Sequence, residues 1–227
     1  MHDGWKSAIK IAVGVFVFSV VYLYLRRFGL PISDVYIKLS FTGVAVVGIV
    51  LIAHSYLVGS LAHFWPRAFE AKKSFRKYYG LTGFYLIIVH SAWGVFLKLN
   101  PDYYAKHFDK IDPARVQLVD IPFALGLAGL LLFVAVAAVS LPVIAKRMTP
   151  SAWLFIQRLG YIALTLGTIH FALIKWKGFL AYHAWPYFLP PLSLLIFIFI
   201  IFVFVMRLAQ TLTLALCLLP DERQSRK

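Results

Sequence analysis

Six apolar blocks, each long enough to cross a bilayer as a helix, take up almost all of this 227-residue chain. A run of about 20 apolar residues spans the hydrocarbon core. Inside that core every backbone N–H and C=O must be satisfied within the segment, which selects helices or closed barrels. The blocks fall at about 7–25, 36–64, 75–97, 121–145, 151–174 and 187–215. They are far longer than barrel strands and do not alternate, so helices are the reading. Pro101, Pro113, Pro150 and Pro186 fall in the connections, and Pro190-Pro191 sits near the start of the last helix, where missing donors are tolerated. The sequence therefore predicts an all-α, polytopic six-transmembrane-helix bundle as a single domain over 1–227. It is 61% hydrophobic and only 14% charged, whereas a soluble domain carries about a quarter charged residues. No length is left for a soluble catalytic domain, so any partner enzyme is expected on a separate chain. The first block lacks a small-x-small cleavage pattern and is read as a retained helix.

The formal net charge of +14 would suggest nucleic acid on a soluble protein. Here the charges sit in short loops between apolar blocks, the pattern that retains loops in the cytoplasm, so no nucleic-acid partner is expected. The N-terminus, the second and fourth loops, the C-terminus and their adjoining helix ends hold 14 of the 23 Lys and Arg. Asp34, Asp102, Asp109, Asp112 and Asp120 fall on the other side. Both termini are thus expected inside, in a multi-pass protein of the cell (inner) membrane with lipid as its first partner. The loop aromatics Trp176, Phe179, Tyr182 and Trp185 read as an interfacial belt. The one cysteine, Cys217, lies in the last block and allows neither an intrachain disulfide nor a CxxC site.

Histidine within a membrane helix is costly and usually functional. His54, His90 and His170 are the clear cases; His63 stands at a helix end, and His2, His107 and His183 in loops or tails. Steps of three and four around His90 give Gly80, Gly83, Ile87 and Gly94; back from His170 they give Gly167, Ala163 and Gly160. Such small stripes permit close helix packing. They also leave room for a flat macrocycle between two helices. His90 follows Arg76 by 14 residues and His170 follows Trp153 by 17, so at about 1.5 Å per residue both lie over about 20 Å along parallel helices. That matching depth suits two axial ligands of haem iron. Zinc suits the pattern less, because cysteine and carboxylate ligands are missing from the membrane region. Buried, hydrogen-bonded structural histidines remain the competing reading of the residues alone.

The segment from Arg76 through Gly80 and Gly83 to His90 resembles the third-helix signature of the ferric-reductase-like transmembrane domain family. Trp153 to Tyr161, followed by Thr168-Ile169-His170-Phe171, is similar to its fifth-helix signature. Within that superfamily the spacing most resembles the haem-binding subunit of periplasmic methionine sulfoxide reductase. The resemblance covers roughly 43–176 and implies a b-type cytochrome that moves electrons across the membrane. It implies His90 and His170 as iron ligands, with Gly83, Gly94 and Gly167 beside the cofactor. Two-haem members carry a second histidine where this chain has Gln157, a poor iron ligand, so one haem b is expected. His54 is read as a hydrogen-bonding residue rather than an inner ligand.

Arg67 to Lys77 is strongly basic, which topology and anionic lipid explain. Arg76 and Arg158, at the inner ends of the two histidine helices, are the candidates to meet a quinone or flavin (FMN) donor. No GxGxxG fingerprint is present for a nicotinamide. The expected function is an oxidoreductase subunit passing electrons from quinol or reduced flavin to an acceptor on the outer face, through a separate redox partner protein. The alternative is a non-redox transporter or assembly subunit with structural histidines; it lacks the matched broken helices of a transporter.

Overall fold

The computed structural model describes residues 3–109 and 119–217. His2, Asp112 and Pro113, named above, and Arg223, Arg226 and Lys227 in the C-terminal basic count lie outside the described residues. Among the described residues six helices are long and apolar enough to cross a membrane: α1 (Asp3–Leu25), α2 (Ile32–Phe64), α3 (Arg76–Leu99), α4 (Ile121–Val139), α5 (Pro150–Leu180) and α6 (Leu192–Cys217). No strand is present among the described residues. The chain is a multi-pass, all-α membrane protein.

Several helix ends differ from the sequence reading, each for a local reason. α4 stops at Val139 rather than near Ala145. Ser140 turns its Oγ back to the Val136 carbonyl at 2.9 Å, and Pro142 then opens a separate short turn, Pro142–Ala145, because it has no N–H to continue the ladder. α5 runs six residues past Ile174, to Leu180. Lys175 and Lys177 extend it on flexible stems that keep their charge in the polar zone. Trp176 and Phe179 are therefore on the helix and not in a loop. α2 begins four residues early, after Pro31. α6 starts at Leu192, after Pro190-Pro191, with the Pro191 carbonyl taking the Leu194 N–H at 2.9 Å.

α2 is the central helix, and it holds by far the longest run of buried side chains, from Val46 to Ala62. It packs on α1, α3 and α6, while α4 and α5 pair with each other. Two glycines explain how α2 and α3 approach so closely. A Cβ at Gly83 would lie 2.6 Å from the Gly48 carbonyl oxygen, and one at Gly48 would lie 2.8 Å from Ile87. α4 and α5 meet in the same way, with a Cβ at Gly129 reaching the Ala163 carbonyl at 3.2 Å. The main core cluster then joins Ile52, Ala53 and Tyr56 of α2 to Phe133 of α4, Ala163 and Leu164 of α5, and Ile200 and Val203 of α6. α3 and α5, the two histidine helices, share no comparable packing. They stand on either side of a seam walled by α2 and α4.

Candidate haem site between α3 and α5

His90 and His170 face this seam and are close enough to act on one another electrostatically. Their surroundings differ. The Nδ1 of His170 is 2.6 Å from the carbonyl oxygen of Pro122, in the first turn of α4. A carbonyl only accepts, so Nδ1 carries the proton and Nε2 keeps its lone pair. That is the arrangement a metal-ligating histidine adopts, its second nitrogen tied to a backbone oxygen that fixes ring and tautomer. Gly126 makes it possible: a Cβ there would lie 2.9 Å from His170 Nδ1.

His90 packs on Phe41 of α2, ring centroids 4.3 Å apart, and Phe41 in turn meets Trp93 edge-on at 5.5 Å. Its Nδ1 is buried without a hydrogen-bond partner. Leaving such a nitrogen unpaired costs about 1–3 kcal/mol, and a buried orphan calls for an explanation. Among the described residues no three His, Cys, Asp or Glu side chains gather as a metal site. The pair is a two-ligand set, which suits iron whose remaining positions a macrocycle fills.

The glycines divide by depth. A Cβ at Gly94 would come no nearer than 4.0 Å to Phe41, and one at Gly167 would meet Ile49 at 3.6 Å. Both are ordinary van der Waals contacts, so neither glycine is forced by a clash. Gly83 is different, because its free face is taken by α2, as described above, and its small size serves helix packing. Gly160 is covered by Tyr56, whose hydroxyl occupies the place of a Cβ. The Tyr56 and Tyr161 rings meet at 4.4 Å, tilted by 43°, and fill the space toward the Arg76 end of the helices. Gln157 bonds sideways to Ser140 Oγ at 3.1 Å and to the Val136 carbonyl at 3.4 Å. His54 lies on the Tyr79 ring at 5.0 Å.

Arg76 and Arg158 are not brought together. Arg76 turns inward and donates from Nε to the Ser55 carbonyl at 2.7 Å, while Arg158 is exposed on α5. The titratable groups that act electrostatically on Arg76 are the phenols of Tyr161 and Tyr56 and the guanidinium of Arg207. Arg207 of α6 sits over the Tyr161 ring at 5.7 Å. The sequence reading missed Arg207, because its position in an apolar helix gave no sign of the face it occupies.

The other end of the seam is tied by charge. Lys98 in the last turn of α3 pairs with Asp120 Oδ2 at 2.6 Å. Asp120 Oδ1 accepts the Phe123 N–H at 2.7 Å and so caps α4. Partial burial by itself raises the Asp120 carboxyl, but hydrogen bonds from Lys98 and the Phe123 N–H outweigh it and hold the carboxyl below its usual range.

A six-helix membrane bundle with a histidine on each of two helices that have little direct packing on one another is the architecture expected of a membrane redox domain. The family model of the ferric reductase like transmembrane component matches residues 42–168, more than half of the chain. The chain belongs to that family. The match includes His54 and His90 and stops two residues short of His170. Metalloreductase STEAP2 of Mus musculus is 26% identical over 224 residues, covering 84% of this chain and 46% of the relative. The Homo sapiens STEAP2 is 25% identical over 223 residues with the same coverage. Metalloreductase STEAP3 of Rattus norvegicus is 24% identical over 235 residues, 85% of this chain and 46% of the relative. The chain spans about half the length of these relatives.

Proposed function

We propose that this chain binds one haem b between His90 and His170 and carries electrons across the membrane to an acceptor on the outer face. The observation that carries the reading is the pairing, on α3 and α5, of an anchored histidine with one whose Nδ1 is buried without a hydrogen-bond partner. His170 is held by Pro122 with Nε2 free to ligate, and His90 has a buried nitrogen with no partner. When bound, haem supplies one-electron exchange at iron; the protein contributes ligation, orientation and exclusion of water. His90 and His170 would hold the iron, and Gly94 and Gly167, whose added Cβ would meet only Phe41 and Ile49 at ordinary contact distance, keep the adjoining helix faces small. One haem rather than two is favoured by the inner depth, where Tyr56 covers Gly160 and Gln157 is bonded to α4.

The donor is a quinol or reduced flavin near Arg76, with Arg207 in the part that the sequence gave to Arg158. The acceptor is an oxidised metal ion, in line with the name metalloreductase carried by the relatives. A separate periplasmic reductase is the acceptor implied by the finer likeness to the methionine sulfoxide reductase system. Orientation with both termini inside and residence in the inner membrane belong to the same proposal.

Visible spectra of purified wild type, His90→Ala and His170→Ala, oxidised and after dithionite, test the reading. Wild type should show a low-spin b-type spectrum, and each variant should lose it. A spectrum left unchanged by either alanine removes that histidine from the iron, and a wild type without any chromophore removes the haem.

A further inference from the structure

The carbonyl that holds His170 sits in a helix turn whose own position is fixed from elsewhere. Pro122 lies two residues after Asp120. Asp120 does two things with its two oxygens: Oδ1 caps the Phe123 N–H at 2.7 Å, and Oδ2 takes the Lys98 ammonium at 2.6 Å. Lys98 stands eight residues beyond His90 on the same helix. It also lies over the Phe123 ring at 6.0 Å. A continuous chain of contacts thus runs from α3, which bears His90, through Lys98, Asp120 and the first turn of α4, to the Pro122 carbonyl and His170 Nδ1 on α5. Since α3 and α5 have little packing of their own, this chain links the two ligand helices at the histidine end of the seam. Lys98 is only 16% exposed and Asp120 35%, so the pair is partly shielded from solvent screening.

We propose that the Lys98–Asp120 ion pair is a positioning brace: it fixes the first turn of α4 so that the Pro122 carbonyl holds His170 on the iron. The inference rests on the haem reading above. Neither residue touches the iron. Each acts through Pro122, as an outer partner that keeps a ligand ring in place.

Carbon monoxide is the probe, because it enters a reduced haem only when an axial ligand lets go. Haem content and carbon monoxide binding are measured on wild type, Asp120→Asn, Lys98→Met and Lys98→Arg. Asparagine can still cap Phe123, so Asp120→Asn removes the charge while retaining the helix start. The brace predicts that Asp120→Asn and Lys98→Met keep haem but bind carbon monoxide several-fold more than wild type, and that Lys98→Arg behaves as wild type. Loss of haem from the first two with retention in Lys98→Arg supports the brace as well. Carbon monoxide excluded equally by all four proteins overturns it, because the electrostatic field of the pair alone leaves ligation intact. Wild type that already binds carbon monoxide fully counts instead against two-histidine ligation, and wild type without haem removes both readings.

Discussion

Gly126 shows how much a single side chain, or its absence, decides at the histidine seam. The His170 ring lies against α4 where any Cβ would stand 2.9 Å from Nδ1. Gly126→Ala should therefore push the imidazole off the Pro122 carbonyl and lower the haem-to-protein ratio several-fold, read from Soret absorbance against protein mass. Gly14→Ala is the matched control, since nothing lies within 4 Å of a Cβ there, and its ratio should equal wild type. The importance of Gly126 was open to inspection in the sequence: Gly126 and Gly129 are three apart in an apolar run. Stepping only along the histidine-bearing helices passed over it. The histidines were readable because an imidazole in a membrane helix is costly. The rotation of each helix was not readable, which is why nothing in the sequence pointed to Arg207 over the Tyr161 ring.

At the scale of the elements, block length was enough to find all six helices, and the small stripes were enough to mark their contact faces. What the stripes touch needed the structure. Gly80 and Gly83 looked like a bare wall for a macrocycle, yet Gly83 is where α2 and α3 come together against the Gly48 carbonyl. Backbone on the other side cannot yield as a flexible side chain would. Gly83→Val should overpack this contact and destabilise the bundle by about 1–3 kcal/mol. A lowered Tm of the detergent-solubilised protein checks it; an unchanged Tm would show that α2 and α3 can separate freely. Helix ends were the least legible part of the fold. Ser140 and Pro142 end α4 through a side-chain hydrogen bond and a missing donor. Lys175 and Lys177 extend α5 where an apolar count would stop.

For the molecule as a whole, six crossings and the uneven distribution of basic residues lead to a prediction about sidedness. Reporter fusions at the two ends of the chain should both report the cytoplasm. Fusions reporting the outside, or opposite sides, would invert the path assigned to the electrons. Sidedness matters because the seam is polarised: the Arg76, Arg207, Tyr56 and Tyr161 group lies toward one end, and the Lys98–Asp120 pair closes the other. Between them the chain offers the two histidines, with Gly94 and Gly167 on the same helices. The measurement that bears most directly on this account is pyridine haemochrome analysis of the purified protein against its mass. The account predicts haem b at a ratio near one per chain. A ratio near zero would leave His90 and His170 as structural residues, and a ratio near two would show an inner site where Tyr56, Tyr161 and Gln157 are placed.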